Sequence, residues 1–213
     1  MISDHDRSGW FGASDVSYIM GNWNTKSFKR WWLTKLGLND SQFATRAMNA
    51  GTYYEGAVLD VVGSPRRNHQ IIIPEYKLRV NYDGDGEGRI DEVKTHAASK
   101  VFKTTKGYKQ QVNVQMYAKL IEEGRLPKAN IYAYGLIEDD YKNFFNPIDQ
   151  ERLTEHKVEY CEEFIVGFLE RLTCLVDCME KGVFPQFRGY RLESTNNAYR
   201  SCEDSRKRID IDH

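Results

Sequence analysis

Two acidic residues and a lysine near the middle of the chain have the types and spacing of phosphodiester chemistry. Asp83 closes one β-prone run, Lys77 to Asp83, and Glu92-Val93-Lys94 lies in the next, Arg89 to Thr95. Side chains alternate along a strand, so Glu92 and Lys94 point to one face and Asp91 and Val93 to the other. If the two runs pair, two carboxylates and an ammonium converge. Hard carboxylate oxygens hold Mg²⁺, with Mn²⁺ as a substitute; the metal neutralises charge on a scissile phosphate and activates water. The ammonium of Lys94 helps to orient that water. A surface strand of alternating charge would carry the same letters, so the motif alone leaves both readings open.

The elements that must position these residues can be traced from patterning. Ser14 to about Gly21 reads as a short helix opened by a serine cap, Ser27 to Leu36 as a second helix, and Ala44 to Val62 as a third, interrupted or bent near Gly51 and Gly56. Gln70-Ile71-Ile72-Ile73, Lys77 to Asp83 and Arg89 to Thr95 then form a three-stranded meander broken by Pro74-Glu75 and by Gly84 to Gly88. Tyr108 to Glu123 suits a helix ended by Gly124 and Pro127. Ile131 to Ile137 and Tyr141 to Phe145 suit a hairpin, and Asp149 to Gly182 a single long helix. The order of elements predicts an α/β fold, a mixed sheet flanked by helices.

Composition bounds the function. A chain of 213 residues accommodates one sizeable domain, assigned here to 1–185, with a polar, Arg-rich tail at 186–213. No apolar run approaches the ~20 residues of a membrane helix, and the acidic start of the chain lacks a secretory leader, so a cytoplasmic location is expected. Cys161, Cys174, Cys178 and Cys202 have no zinc-type spacing and read as free thiols. A net charge of −1 does not announce a nucleic-acid binder, so contacts with DNA must come from local patches. Lys100, Lys103, Lys106 and Lys109, at three-residue intervals, form one such patch, from which Lys103 and Lys106 are taken as DNA-binding candidates; Arg66-Arg67 is another. Trp10, Trp23, Trp31 and Trp32 read as core or groove-lining, and His69 and His96 as structural.

Four separated blocks, over roughly residues 7 to 145, resemble the lambda-exonuclease and YqaJ-type viral recombinase family of PD-(D/E)xK nucleases. They are Arg7 with Gly12-Ala13-Ser14-Asp15, Gly51-Thr52-Tyr53-Tyr54-Glu55, Asp83-Gly84 through Glu92-Val93-Lys94-Thr95, and Tyr108-Lys109-Gln110-Gln111 through Gln115-Met116. The resemblance implies a restriction-endonuclease-like fold and Mg²⁺-dependent DNA hydrolysis. It implies that Glu55, Asp83, Glu92 and the Val93 carbonyl are metal ligands and that Arg7 and Ser14 grip a DNA 5′-phosphate. Gln111 and Gln115, one helical turn apart, are expected to face the site and hold Lys94 or the DNA backbone. Asp85 rivals Asp83 as the first ligand, and the spacing from Asp83 to Glu92 is nearer the family's. The family further implies 5′-to-3′ resection of duplex ends in phage-type recombination, a single-strand annealing partner and a homo-oligomer.

Overall fold

The computed structural model describes residues 8–39 and 45–186, with the backbone alone at 46 and 47. Arg7, Cys202 and the tail therefore lie outside the described residues. The described residues fold as two compact units, one from 8–39, 73–78 and 160–186, the other from 45–72 and 79–159. No described helix is long and apolar enough to cross a membrane.

The first unit is helical. A 3₁₀ turn, Ala13–Asp15, leads into α1 (Val16–Ile19), followed by α2 (Lys26–Lys35) and, late in the chain, α5 (Glu162–Glu180). Thr25 caps α2 by accepting the Phe28 N–H, and the helix turns Phe28, Trp31, Trp32 and Lys35 inward at helical spacing. The core placement of Trp23, Trp31 and Trp32 agrees with expectation. Lys35 is tolerated there because Asp15 meets its ammonium at 2.6 Å, while the other Asp15 oxygen accepts from Trp31 Nε1 at 2.9 Å. The expected serine cap is corrected: Gly12 is the cap residue, Asp15 accepts its N–H at 2.8 Å, and Ser14 is exposed within the turn. The end of α1 leaves carbonyls without helical partners. Arg171 of α5 donates to the carbonyls of Ile19 and Gly21, both at 2.6 Å.

The second unit holds the sheet. Its strands are β1 (Arg66–Arg67), β4 (Gly84–Gly86), β5 (Arg89–Ala97), β6 (Lys128–Leu136) and β7 (Leu153–Val158), in the order β1-β4-β5-β6-β7. β5 and β6 are parallel and the other pairs antiparallel, so the sheet is mixed, as expected. Helix α3 (Arg46–Val61) packs Ala50, Tyr54, Val58 and Leu59 against Val93, Tyr132 and Tyr134 of β5 and β6. Helix α4 (Lys106–Glu123) is capped by Thr105 and ends at Gly124. Gly84 is required by packing: a β-carbon there would lie 2.4 Å from Ser64 Oγ and 2.5 Å from Leu59 Cδ2.

Three expectations are corrected. The meander is not one sheet, because β2 (Gln70–Ile73) and β3 (Leu78–Asn81) form a separate two-stranded sheet while β5 pairs with β4 and β6. Tyr141 to Phe145 is not a strand. The segment follows a 3₁₀ turn, Glu138–Tyr141, whose buried Asp140 accepts from Ile137 N–H, Tyr54 Oη and Arg152 Nη1 and so organises a polar loop. Asp149 to Gly182 is not one helix either, because its first part supplies β7. That edge strand is mostly exposed and lacks a clean apolar alternation, so pairing with β6 decides its conformation.

Candidate active site

The site forms where one strand leaves the sheet. β4 pairs with β5 only as far as Gly84 opposite Asp91. Beyond that point the Val93 N–H has no strand partner on this edge, and Asp83 Oδ2 accepts it at 2.9 Å. The N–H and C=O of a strand residue point to the same edge, so the Val93 carbonyl faces the same opening.

Glu92, 1% exposed, is held by three donors. Its Oε1 accepts from Lys94 Nζ and Gln111 Nε2, each at 2.5 Å, and its Oε2 from Gln115 Nε2 at 2.6 Å. Gln115 is 1% exposed and its Nε2 also donates to the Asn81 carbonyl at 3.3 Å, so its NH2 group is engaged inside the protein rather than offered to a DNA backbone. Gln111 holds Glu92, where contact with Lys94 or DNA had been expected.

Sequence reasoning quoted Tyr108 but gave it no role. Tyr108, Gln111 and Gln115 share one face of α4 through their i, i+3, i+7 spacing, which was available in the sequence. The Lys94 ammonium lies over the Tyr108 ring, 5.3 Å from its centre, and the ring stacks on Phe102 at 5.9 Å. Phe102 is backed by His96 and His156 at 5.4 and 5.1 Å.

Glu55 comes from α3, one turn after Gly51, whose missing β-carbon would stand 3.1 Å from Thr95 Oγ1 of β5. Burial, and then the charge of Glu92, raise the Glu55 carboxyl above its ordinary range against the pull of Lys94. Asp83 is pushed further. Burial and the charges of Glu92 and Glu55 raise it well above 3.8, more than Lys94 and the Val93 N–H offset. Burial disfavours the charged form of Lys94, but Glu92 and Asp83 outweigh it and hold the ammonium above the usual lysine value. Three carboxyls thus crowd around one ammonium.

Among the described residues, no three His, Cys, Asp or Glu side chains are gathered so that together they could hold a metal ion. The oxygens at this opening belong to Asp83, Glu92, Glu55 and the Val93 carbonyl. That all-oxygen donor set fits Mg²⁺, which takes one or two carboxylates and keeps several waters.

Asp83 and Asp85 differ in their surroundings. Asp85 is fully buried and already saturated, accepting from Arg66 Nε at 2.9 Å, His69 Nδ1 at 2.9 Å and the buried Lys119 Nζ at 2.6 Å. Burial alone would raise its carboxyl, but the bonds from Arg66 and Lys119 hold it below the ordinary range. His69 is structural, as expected. Lys103 and Lys106 are exposed just before and at the start of α4, and Ser14 belongs to the other unit.

No protein-family model and no curated protein matches the sequence. Solved structures do match. The crystal structure of LHK-Exo in complex with dAMP superposes with a TM-score of 0.62 at 16% identity, over 94% of this chain and 95% of that one. The alkaline exonuclease LHK-Exo from Laribacter hongkongensis gives 0.61 at 18% identity, over 83% and 90%. A phage-related exonuclease from Haemophilus somnus 129PT gives 0.57 at 15% identity, over 81% and 94%. The chain therefore has the fold of these exonucleases.

The two aspartates are expected to respond oppositely to amidation. Because Asp83 binds its proton more tightly folded than unfolded, the native state holds the extra proton between the two values, and stability falls as pH rises through that window. Asp83→Asn removes the penalty, so in EDTA its Tm should exceed that of the native protein at about pH 8, with the gap narrowing toward about pH 5. Asp85→Asn withdraws the nearest anion from the buried Lys119, leaving it Glu123 at 3.0 Å, and should cost about 1–3 kcal/mol in urea unfolding.

Proposed function

We propose that the protein is a Mg²⁺-dependent deoxyribonuclease that resects duplex DNA ends 5′ to 3′. The observation that carries this reading is the crowding of Asp83, Glu92 and Glu55 around Lys94 at the open edge of β5. The exonuclease fold of the structural neighbours supports it.

In this reading Asp83, Glu92, the Val93 carbonyl and Glu55 hold one or two Mg²⁺ ions, with Mn²⁺ as a substitute. The metal supplies charge neutralisation on the scissile phosphate and activation of water. Lys94 orients the attacking water, and its protonated form is kept by the carboxylates around it. Gln111 and Gln115 lock the Glu92 carboxylate by donating to its two oxygens. Tyr108, braced by Phe102, limits where the Lys94 ammonium can point, through a cation–π contact worth ~0.5–2 kcal/mol. Arg7 and Ser14 would bind the 5′-phosphate, and Lys103 and Lys106 the strand backbone. The biological setting proposed is phage-type recombination in a cytoplasm, with DNA as substrate, a single-strand annealing protein as partner and a homo-oligomer as the working form.

Digestion of linear, nicked and closed circular DNA tests the chemistry and the need for an end together. The protein is expected to degrade linear DNA only with Mg²⁺ and to leave closed circles intact, and Lys94→Ala should abolish the activity. Cutting of closed circles would replace the exonuclease by an endonuclease at the same site. No Mg²⁺-dependent cleavage of any substrate would refute the assignment.

Tyr108→Phe keeps the ring under Lys94 and should retain kcat within about twofold, whereas Tyr108→Leu should lower kcat by about tenfold with little change in KM. Equal losses in the two variants would remove the ring from the account.

A further inference from the structure

The opposite face of the sheet carries a second charged feature. Strand alternation sends Arg89 and Asp91 to the face away from Glu92 and Lys94. The parallel register sets Lys128, Asn130 and Tyr132 of β6 beside Arg89, Asp91 and Val93 of β5. Arg89, Lys128, Asn130 and Tyr132, with Arg125, which follows α4, and Val62, at the end of α3, line a cavity of about 640 Å³.

The cations of this cavity are built in to different degrees. Arg89 is anchored, its Nε donating to the buried Asp91 at 2.7 Å and its Nη2 to the Val62 carbonyl at 3.0 Å, so the guanidinium is fixed before any ligand arrives. Arg125 lies against Gly88, whose φ of +64° and missing β-carbon leave room for the guanidinium at 3.3 Å. Its Nη2 meets Glu87 at 2.7 Å and its Nε lies 3.6 Å from Glu123; Glu87 is itself 87% exposed and so a weak competitor, and Glu123 is the more distant of the two. Lys128 makes no ion pair among the described residues. Three positive side chains from three elements thus converge on one hollow, one rigid, one loosely paired and one unpaired.

We propose that this cavity is a phosphate-binding site separate from the active site, with Arg125 and Lys128 as the exchangeable cations and Arg89 as the fixed one. The chemistry suits a phosphate group with a flat or apolar neighbour, since Val62 and Leu126 form apolar wall and Tyr132 an aromatic one. Two sources share that chemistry, the phosphodiester of DNA passing over this face and a free 5′-mononucleotide. The inference rests on the nuclease reading for its biological sense but not for its test.

The test is binding in EDTA, where cleavage cannot interfere, with inorganic phosphate, thymidine 5′-monophosphate and a short duplex as probes. The Arg125→Ser/Lys128→Ser double variant is compared with the native protein. If the site takes DNA, the slope of log K against log salt for the duplex should fall by about two in the double variant. If it takes free phosphomonoesters, affinity for the mononucleotide and for phosphate should drop by about tenfold, with the duplex slope unchanged. Glu87→Gln removes the nearer carboxylate from Arg125, leaving Glu123 at 3.6 Å, and should tighten the favoured probe by about threefold. Binding is read without metal or turnover, so a failed nuclease reading leaves these results standing. Unchanged binding of all three probes in both the double variant and Glu87→Gln would overturn the proposal.

Discussion

A strand edge that loses its neighbour partway along is the constraint on which the site depends. A buried N–H without a partner costs about as much as a lost hydrogen bond, and at Val93 the partner is a carboxylate rather than the next residue of β4. That substitution places Asp83 at the opening, turns the Val93 carbonyl toward it and leaves room for Glu55 to approach from α3. A continuous ladder would have closed the same space. Gly84 makes the departure possible, because the chain must pass against Ser64 and Leu59 at distances that admit no side chain.

The burial of charge in the second unit follows two opposite strategies within three residues. Asp85 is surrounded by donors from β1, α4 and His69 and is satisfied outright, which suits a group that fixes structure. Asp83 is buried among other carboxyls and accepts from a backbone N–H while Lys94 offsets only part of the repulsion, which leaves it in need of further positive charge. Stability is spent at one aspartate and recovered at the other. Such a division is expected where a site must attract a cation that the unfolded chain does not hold.

Much of this was legible in the letters. Glu92 and Lys94 fall on one face by strand alternation alone, and the helices around Phe28, Glu55 and Gln111 follow from apolar spacing and their Thr and Gly boundaries. What the letters hid lay in tertiary pairing. β7 is an exposed edge whose sequence, Leu153 to Val158, has no alternation to betray it, and it forms because β6 is there to pair with. The loop around Asp140 looked like a hairpin because its organising feature, a buried aspartate bonded to Tyr54 and Arg152, joins residues far apart in sequence. Spacing favoured Asp83 over Asp85 only through the family's pattern, and nothing in the sequence shows how differently the two carboxyls are surrounded. Tyr108 was visible by its helical phase with Gln111 and Gln115, but nothing in the sequence shows a lysine from another element resting on its ring.

The central claim is that the open edge of β5 is a cation site built from Asp83, Glu92 and Glu55. Titration of the metal-free protein with Mn²⁺, followed by electron paramagnetic resonance near neutral pH, tests it without reference to any substrate. Saturable binding of one or two ions per chain, abolished by Asp83→Asn and untouched by Tyr108→Leu, is the expected result. Binding that Asp83→Asn leaves intact, or none that saturates, would contradict the claim.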